Sequence, residues 1–198
     1  MSRDQLCDSP GSAAKAAAAV GYPVVMKVSS PDLLHKSDLG LVEVGLGSAA
    51  EVKRAYTKLL ERAHKANKHA DIEGVLVCEM VKGGVETVIG VSNDELFGPT
   101  IMFGLGGVFV EVFEDVTFRV PPFDRDEAFR MIGEVKGAKV LRGTRGQKPV
   151  DIPALVDVLM KVQRLAMENA ATIAELDINP LVVRSSGAVA LDALVIPR

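Results

Sequence analysis

Alternating apolar and polar positions divide the sequence into short predicted strands and a few amphipathic helices. The alanine-rich run Ser12–Val20 predicts a helix that ends at Gly21, because alanine has the highest helix propensity and glycine commonly follows a helix. Two more helices are predicted to start after Ser48 and after Asp124. In both cases a glutamate follows the capping residue by three positions, which is the spacing of a capping box. Asp151 caps a further helix, whose apolar face repeats at helical spacing.

The predicted strands are rich in β-branched residues and are bounded by glycine, proline and serine. They are Tyr22–Val28, Leu41–Leu46, Ile72–Met80, Val85–Ser92, Thr100–Gly107, the edge strand Glu111–Pro122, and a hairpin of Ile173–Val183 with Ala188–Val195. Strands and helices do not alternate strictly, so the pattern favours an α+β fold with substantial antiparallel sheet. A chain of 198 residues is long enough for one core, or for two small cores that share an interface.

Charge and composition narrow the classes of partner. The formal net charge is −3 and no basic stripe is present, which argues against nucleic acid. The uncharged apolar run between Lys15 and Lys27 is too short to span a bilayer. The cysteines Cys7 and Cys78 lack metal-site spacing and are typical of reduced thiols. We therefore expect a cytoplasmic protein that binds neither nucleic acid nor membrane.

Several familiar catalytic motifs are excluded. Phe109 occupies the position where a dinucleotide-binding GxGxxG motif needs its third glycine, and neither a P-loop nor a GxSxG elbow occurs. His64 and His69 are five residues apart, near the end of a predicted helix, and do not share a face. We expect both of these histidines to be solvated.

Polar side chains are spaced along the predicted hairpin as a metal site would require. Glu175, Asp177 and Asn179 alternate along one strand, so they project from one face. An even-length turn around Ser185–Gly187 would place Asp192 opposite Asn179 on the neighbouring strand. Carboxylate and amide oxygens in this arrangement suit Mg²⁺. The alternative is a solvated polar face of an antiparallel sheet, which is common.

Three other segments combine polar and apolar residues in ways that suggest nucleotide chemistry. Lys27 follows a strand-like apolar run, where its ammonium could contact a phosphate or simply reach water. The stretch "CEMVKGGVE" at Cys78–Glu86 is either an adenine-binding connection between strands or a plain hairpin turn. The loop Ser29–Gly40 contains His35, which is either a nucleophile or a loop histidine with no chemical task.

Taken together, these segments resemble a known family. The order "YPVVMKVSSPDLLHKSDLG", "VLVCEMVKGGVE", "GPTIMFGLGGVFVE", "LRGTRG" and "AELDINPLVV" is similar to the ATP-grasp domain (β subunit) of ADP-forming acyl-CoA synthetases. The resemblance extends over about residues 21–195. It implies an α+β ATP-grasp fold in which two small lobes, at about residues 21–92 and 93–198, clamp a nucleotide. No CoA-binding domain is predicted within these residues.

The resemblance also implies roles for individual residues. Lys27 would contact the nucleotide phosphates, the backbone of Glu79, Met80 and Val81 would bind adenine, and Glu86 would bind ribose. Gly104, Gly106 and Gly107 would let backbone N–H groups approach a phosphate. Asn179 and Asp192 would hold Mg²⁺, with Asp177 and Glu175 near or in its second shell. Arg145 would steady the transferring phosphoryl group, and His35 would carry phosphate.

These expectations define a function and its alternatives. The chain would catalyse the nucleotide half-reaction of acyl-CoA + ADP + phosphate ⇌ acid + ATP + CoA, with ATP or ADP and Mg²⁺ as cofactors. It would need a CoA-binding α subunit or a fused α-like domain. One alternative is a regulatory ligand-binding module of a synthetase-like lysine acetyltransferase, without ligase turnover. The other is a purely structural docking module.

Overall fold

The computed structural model describes residues 3–33, 36, 38–94, 96–107, 114–144, 146 and 148–198. The chain divides into two compact units, one that runs up to Lys82 and one that begins at Gly83. The division lies earlier than the boundary expected near residue 92. The reason is that strand β5 (Val85–Asp94) pairs along its length with two later strands, so it belongs to the second unit.

The first unit consists of an antiparallel sheet and two helices. Its strands, in sheet order, are β1 (Asp4–Cys7), β4 (Gly74–Glu79), β2 (Val24–Ser29) and β3 (Val42–Leu46). The helices are α1 (Pro10–Val20) and α2 (Ala49–Ala66), which pack on each other and on the sheet.

Strand β2 shows why this unit has two different faces. Val24, Met26 and Val28 are fully buried in the core beneath the helices, whereas Lys27 between them is half-buried and lies on the opposite face. This alternation follows from the two-residue period of a strand. Helix α2 begins as predicted, with the Glu51 N–H donating to the Ser48 side chain at 3.3 Å. The Glu51 carboxylate accepts a hydrogen bond from the Gly47 N–H, one residue before the N-cap, so only the Ser48 half of the predicted capping box forms.

The second unit is a larger antiparallel sheet with helices on one face. Its path of strands is β10 (Leu194–Pro197), β8 (Ile173–Val183), β5, β6 (Gly98–Leu105) and β7 (Val116–Arg119), and β9 (Ala188–Ala190) also pairs with β8. The helices are α3 (Arg125–Glu134), a 3₁₀ helix (Lys136–Arg142) and α4 (Ile152–Glu168).

The core of the second unit lies between the sheet and these helices. Phe103 of β6 and Leu155 and Leu159 of α4 are fully buried there, together with Leu141 of the 3₁₀ helix. The predicted apolar face of α4 is therefore confirmed. The other face of the sheet is covered by no helix of its own unit among the described residues, and we call it the open face.

The structure differs from the sequence prediction in three places. Strand β1 was not predicted, since four residues of mixed polarity give too short a pattern. The segment Lys136–Arg142, which matched no predicted helix or strand, forms a 3₁₀ helix. The last predicted strand is interrupted, giving β9 and β10 on either side of Asp192. Within the part of the chain that the structure describes, no helix is long and apolar enough to cross a membrane.

Candidate functional site

The predicted register of the C-terminal hairpin is confirmed. Strands β8 and β9 pair with Leu181 opposite Ala190 and Val183 opposite Ala188. Continuing that register, the Asn179 N–H donates to the Asp192 carbonyl at 3.3 Å. Asn179 and Asp192 therefore lie opposite each other, as predicted, although Asp192 comes after the end of β9.

A β-bulge changes the orientation of β8 at this point. Ile89 of β5 pairs with Ile178, but Thr87 pairs with Leu181, so Asn179 and Pro180 together oppose one residue of β5. The core face of β8 consequently switches: Leu176 and Leu181 are buried in the same core although they are five positions apart, an odd number that would place them on opposite faces of a regular strand. The bulge thus lies at the residue expected to bind the metal.

Asp177 and Asp192 form an acidic pair beside this bulge. The pKa of Asp177 is raised above its usual value of 3.8, first by burial and second by the negative charge of Asp192. Two carboxylates that repel each other, next to an amide, fit a divalent cation that takes few protein oxygens. Among the described residues no group of three or more His, Cys, Asp or Glu side chains could hold a metal ion without other ligands. The role of Asn179, Asp177 and Asp192 in binding Mg²⁺ stays a prediction.

The open face also includes the glycines singled out in the sequence. A Cβ on Gly104 would lie 2.9 Å from Val116 Cγ1, and a Cβ on Gly106 would lie 3.0 Å from Glu86 Cβ. Neither position therefore has room for a side chain, because atoms of the neighbouring strands, including the exposed Glu86, occupy the space.

The expectation that these glycines let backbone N–H groups approach a phosphate stays a prediction. The Gly106 N–H donates to the Glu86 carbonyl at 2.8 Å, so this particular amide is used within the protein. Gly104 lies inside β6, paired with Val88 on one side and Val116 on the other. Gly107, with φ of +61° and no atom near a hypothetical Cβ, is the one of the three whose backbone conformation favours glycine.

A pocket of about 340 Å³ lies on the open face of the sheet. It lies beside the first half of β8, before the bulge. Glu175 and Asp177 contribute carboxylates to it, and Met102, Phe118 and Leu194 contribute apolar walls. Phe118 and Leu194 are among the exposed large hydrophobic side chains. The predicted grouping of Glu175 with Asp177 on one strand face is therefore confirmed, and the pocket itself had no signal in the sequence.

In the first unit, Lys27 and the stems of the Ser29–Gly40 loop are well defined. Lys27 is paired with Val42 and Leu76 in the centre of the sheet. The Asp32 carboxylate accepts from the Asp71 N–H at 2.7 Å, and the Arg62 guanidinium donates to the Gly40 carbonyl at 2.9 Å. The loop is thus fastened at both ends to neighbouring segments.

The predicted adenine-binding segment begins at the end of β4. The Glu79 N–H donates to the Arg3 carbonyl at 2.9 Å, and Arg3 Nε donates to Glu79 Oε2 at 2.6 Å. Met80 and Val81, both half-buried, follow directly and lead to the boundary between the units. Arg3 was not predicted to take part, since strand β1 was itself missed.

The two residues proposed for catalysis, His35 and Arg145, lie outside the described residues. Their roles remain expectations from the sequence. His64 and His69 are both exposed, as expected, and His64 Nδ1 lies 2.8 Å from the Leu60 carbonyl.

The structure is an α+β fold with two antiparallel sheets. A family model described as an ATP-grasp domain matches residues 1–196. The chain belongs to this ATP-grasp family.

Relatives of established name are similar over nearly the whole chain. The β subunit of acetate–CoA ligase (ADP-forming) I from Pyrococcus furiosus is 43% identical over 184 residues, which are 93% of this chain and 79% of that one. The 4-hydroxybutyrate–CoA ligase (ADP-forming) from Nitrosopumilus maritimus is 46% identical over 187 residues, but these are only 27% of its length. Similar sequences thus occur both as subunits and as parts of longer ligases.

Solved structures show the same fold. The dinucleotide-forming acetyl-coenzyme A synthetase 1 of Ca. Korarchaeum cryptofilum, in complex with coenzyme A, Ca-AMPCP and HgCl⁺, matches with a TM-score of 0.96 and 45% identity, covering 100% of this chain and 86% of that one. A selenomethionine derivative with coenzyme A and Mg-AMPPCP has a phosphohistidine segment that points towards the nucleotide binding site. It matches with a TM-score of 0.84 and 43% identity, covering 100% of this chain and 85% of that one. The expected ATP-grasp fold is therefore confirmed.

Proposed function

We propose that this chain is the nucleotide-binding part of an ADP-forming acyl-CoA ligase and acts with a CoA-binding partner subunit or domain. The reaction is acyl-CoA + ADP + phosphate ⇌ acid + ATP + CoA. The observation that supports it most directly is that Asn179 and Asp192 lie opposite each other, with Asp177 close enough to interact with Asp192. The chain is also similar to ADP-forming ligases over nearly its whole length. The regulatory acetyltransferase module has no support among the named relatives.

In this proposal the chain's own residues bind and orient the nucleotide. Lys27 neutralises charge on the phosphates, the segment from Glu79 to Val81 binds adenine, and Glu86 binds ribose. Asn179 and Asp192 hold Mg²⁺, and a cation there offsets the repulsion between Asp177 and Asp192. Magnesium, when bound, neutralises negative charge that develops on the transferring phosphoryl group.

We assign the transfer of phosphate to His35. A neutral imidazole attacks the phosphorus of a phosphoryl donor at the partner's site, forming an N–P bond while the bond to the donor's leaving oxygen breaks. ADP then takes the phosphoryl group from the imidazole, which forms ATP and restores the neutral ring. Arg145 steadies the phosphoryl group during this step. Catalysis is mainly positioning and electrostatic stabilisation, as in other phosphoryl transfers.

Two measurements test the proposal. Calorimetry of the chain with Mg-ADP should show binding that Lys27→Ala weakens by at least about tenfold, a loss expected for a charge-assisted phosphate contact. Lys53→Ala, which changes an exposed lysine of α2, is the matched control and should bind as the wild type does. A folded sample that binds no purine nucleotide would exclude the function.

The second measurement uses the chain with its CoA-binding partner, acetyl-CoA and radioactive phosphate. The wild type should acquire an acid-labile, base-stable label and form ATP when ADP is added. His35→Ala should lose the label and ATP formation while Mg-ADP binding stays unchanged. ATP formation by His35→Ala at near the wild-type rate would show that His35 is not a phosphate carrier.

A further inference from the structure

Strand β7 fastens the neighbouring helices to the edge of the second sheet. Arg119 and Thr117 on one side of the strand, and Asp115 just before it, each bind either α3 or the 3₁₀ helix. Arg119 Nε donates to Glu127 at 2.7 Å, and Thr117 Oγ1 donates to the Met131 carbonyl at 3.1 Å. Asp115, which directly precedes the strand, continues this series with the 3₁₀ helix as its partner.

Asp115 differs from the other two because it is a buried carboxylate held by backbone groups. It is 5% exposed, and its two oxygens accept from the Lys136 and Gly137 N–H groups at 2.7 Å and 2.8 Å. Those are the first two amides of the 3₁₀ helix, which would otherwise lack helical partners. A charged acceptor makes both hydrogen bonds stronger than neutral ones.

The position of Asp115 in the chain links two segments expected to contact phosphate. Its carbonyl would lie 3.1 Å from a Cβ on Gly104, so the backbone at Asp115 packs closely on the glycine-containing strand β6. Its side chain, at the same time, fixes where the 3₁₀ helix begins. That helix ends at Arg142, immediately before the "GTRG" sequence that contains Arg145.

The far end of this segment is also anchored. Leu141 is fully buried, and its carbonyl accepts from the Val150 N–H at 2.9 Å, so Leu141 and Val150 lie together at the two ends of the basic segment. The 3₁₀ helix that leads to Leu141 starts where Asp115 binds its first two amides.

We infer that Asp115 is a positioning residue that sets the 3₁₀ segment Lys136–Arg142 relative to the glycine strand β6, and with it the start of the basic loop that would act on the transferring phosphoryl group. The inference rests on the proposed function of the chain. Asp115 acts through the 3₁₀ helix and touches no reacting atom. A displacement of about 1 Å in such a loop can lower turnover by about 100-fold.

The first test replaces Asp115 with asparagine. Asparagine has a single acceptor oxygen, so in Asp115→Asn one backbone N–H loses its partner and meets an amide N–H₂ instead. Thr117→Val is the matched control: it removes a hydrogen bond from the same strand to α3 and leaves the 3₁₀ helix untouched. Urea unfolding of both variants gives the stability lost by each.

The second test removes the same interaction from its other partner. Lys136→Pro deletes the N–H that donates to Asp115, at the first position of the helix, where proline is tolerated. Lys136→Ala controls for the loss of the exposed lysine. This pair decides the question if Asp115→Asn does not fold.

Trypsin cleavage tests the positioning without any need for turnover. In Asp115→Asn and Lys136→Pro, cleavage after Lys139 and Arg142 should be about tenfold faster than in the wild type, because the segment opens more often. Both controls should be cleaved at nearly the wild-type rate. Equal cleavage of Asp115→Asn and Thr117→Val at these two sites would overturn the inference.

Turnover with the CoA-binding partner then tests the consequence for catalysis. Asp115→Asn and Lys136→Pro should lose about 100-fold in kcat, with the KM for ADP changed by less than about threefold. Thr117→Val should keep its kcat within about twofold. A kcat that falls only in proportion to the unfolded fraction would show that Asp115 is merely structural. An inactive wild type would instead reject the proposed function, while the cleavage result would still decide whether Asp115 positions the 3₁₀ segment.

Discussion

Gly104→Ala gives a direct test of the close packing on the open face. The new Cβ would lie 2.9 Å from Val116 Cγ1, 3.1 Å from the Asp115 carbonyl oxygen and 3.3 Å from Val88 Cγ1. The first distance is shorter than real Cβ contacts, and the second involves backbone, which cannot move aside by changing rotamer. The substitution therefore forces β6 and β7 apart near Gly104.

The expected cost follows from overpacking. Inserting a methyl group into a well-packed site typically costs about 1–3 kcal/mol, and the reduced entropy of the unfolded chain returns about 0.4–1 kcal/mol. A net destabilisation of about 1–2 kcal/mol is expected. Gly133→Ala is the control, because Gly133 lies in α3 with no atom within 4 Å of its hypothetical Cβ. It should stabilise the chain by about 0.5–1 kcal/mol.

Urea unfolding measures both effects, and a second-site change identifies the contact. In a Val116→Ala background the atom at 2.9 Å is gone, so Gly104→Ala should cost less than about half as much as in the wild type. The backbone contact with Asp115 remains, so the rescue should be partial. The packing explanation is refuted if Gly104→Ala is as favourable as Gly133→Ala, or if Val116→Ala gives no relief.

Three further predictions concern the acidic pair and the core. The pKa of Asp177 is raised in the folded state, so ionisation of its carboxyl group destabilises the fold. This destabilisation is absent below about pH 4 and develops as the pH rises through the raised pKa. Asp177→Asn should therefore increase stability at pH 7 without divalent cations but not at pH 3.5. Urea unfolding in EDTA at both pH values checks this, and an equal gain at both would contradict it. Asp192→Asn should weaken Mg-nucleotide binding by more than about tenfold while leaving metal-free binding within about twofold, as calorimetry with and without EDTA would show. Leu159→Ala, at a fully buried position of α4, should cost about 2–5 kcal/mol in urea, whereas exposed Leu165→Ala should stay within about 0.5 kcal/mol.

Local patterns were sufficient for most elements of this fold. The starts of α2, α3 and α4 follow from side chains that accept backbone N–H groups three residues ahead, namely Ser48, Asp124 and Asp151. The α+β class follows from the mixture of strand and helix patterns. The pairing of Asn179 with Asp192 was also predictable, because an even-length turn fixes the register of a hairpin for several residues on either side.

Other features depend on contacts between residues far apart in the sequence. Strand β1 exists because β4 offers a partner to four residues that have no strong pattern of their own, and only that pairing brings Arg3 to Glu79. The bulge opposite Val88 reverses the buried face of β8, which a two-residue period cannot anticipate. The boundary between the units falls at Lys82 because β5 pairs with β8, far along the chain.

The sequence by itself determined the class of fold and the family, and it predicted the residues that would bind a nucleotide and Mg²⁺, because those depend on local periodicity and residue chemistry. Only the tertiary structure decided which groups are already occupied and which are brought together. In the folded chain the Gly106 N–H donates to the Glu86 carbonyl, Asp115 accepts from the start of the 3₁₀ helix, and a pocket forms beside Asp177. The physical reason is that hydrogen-bond partners and burial are set by sheet pairing over long sequence separations, and a single sequence does not encode those pairings locally.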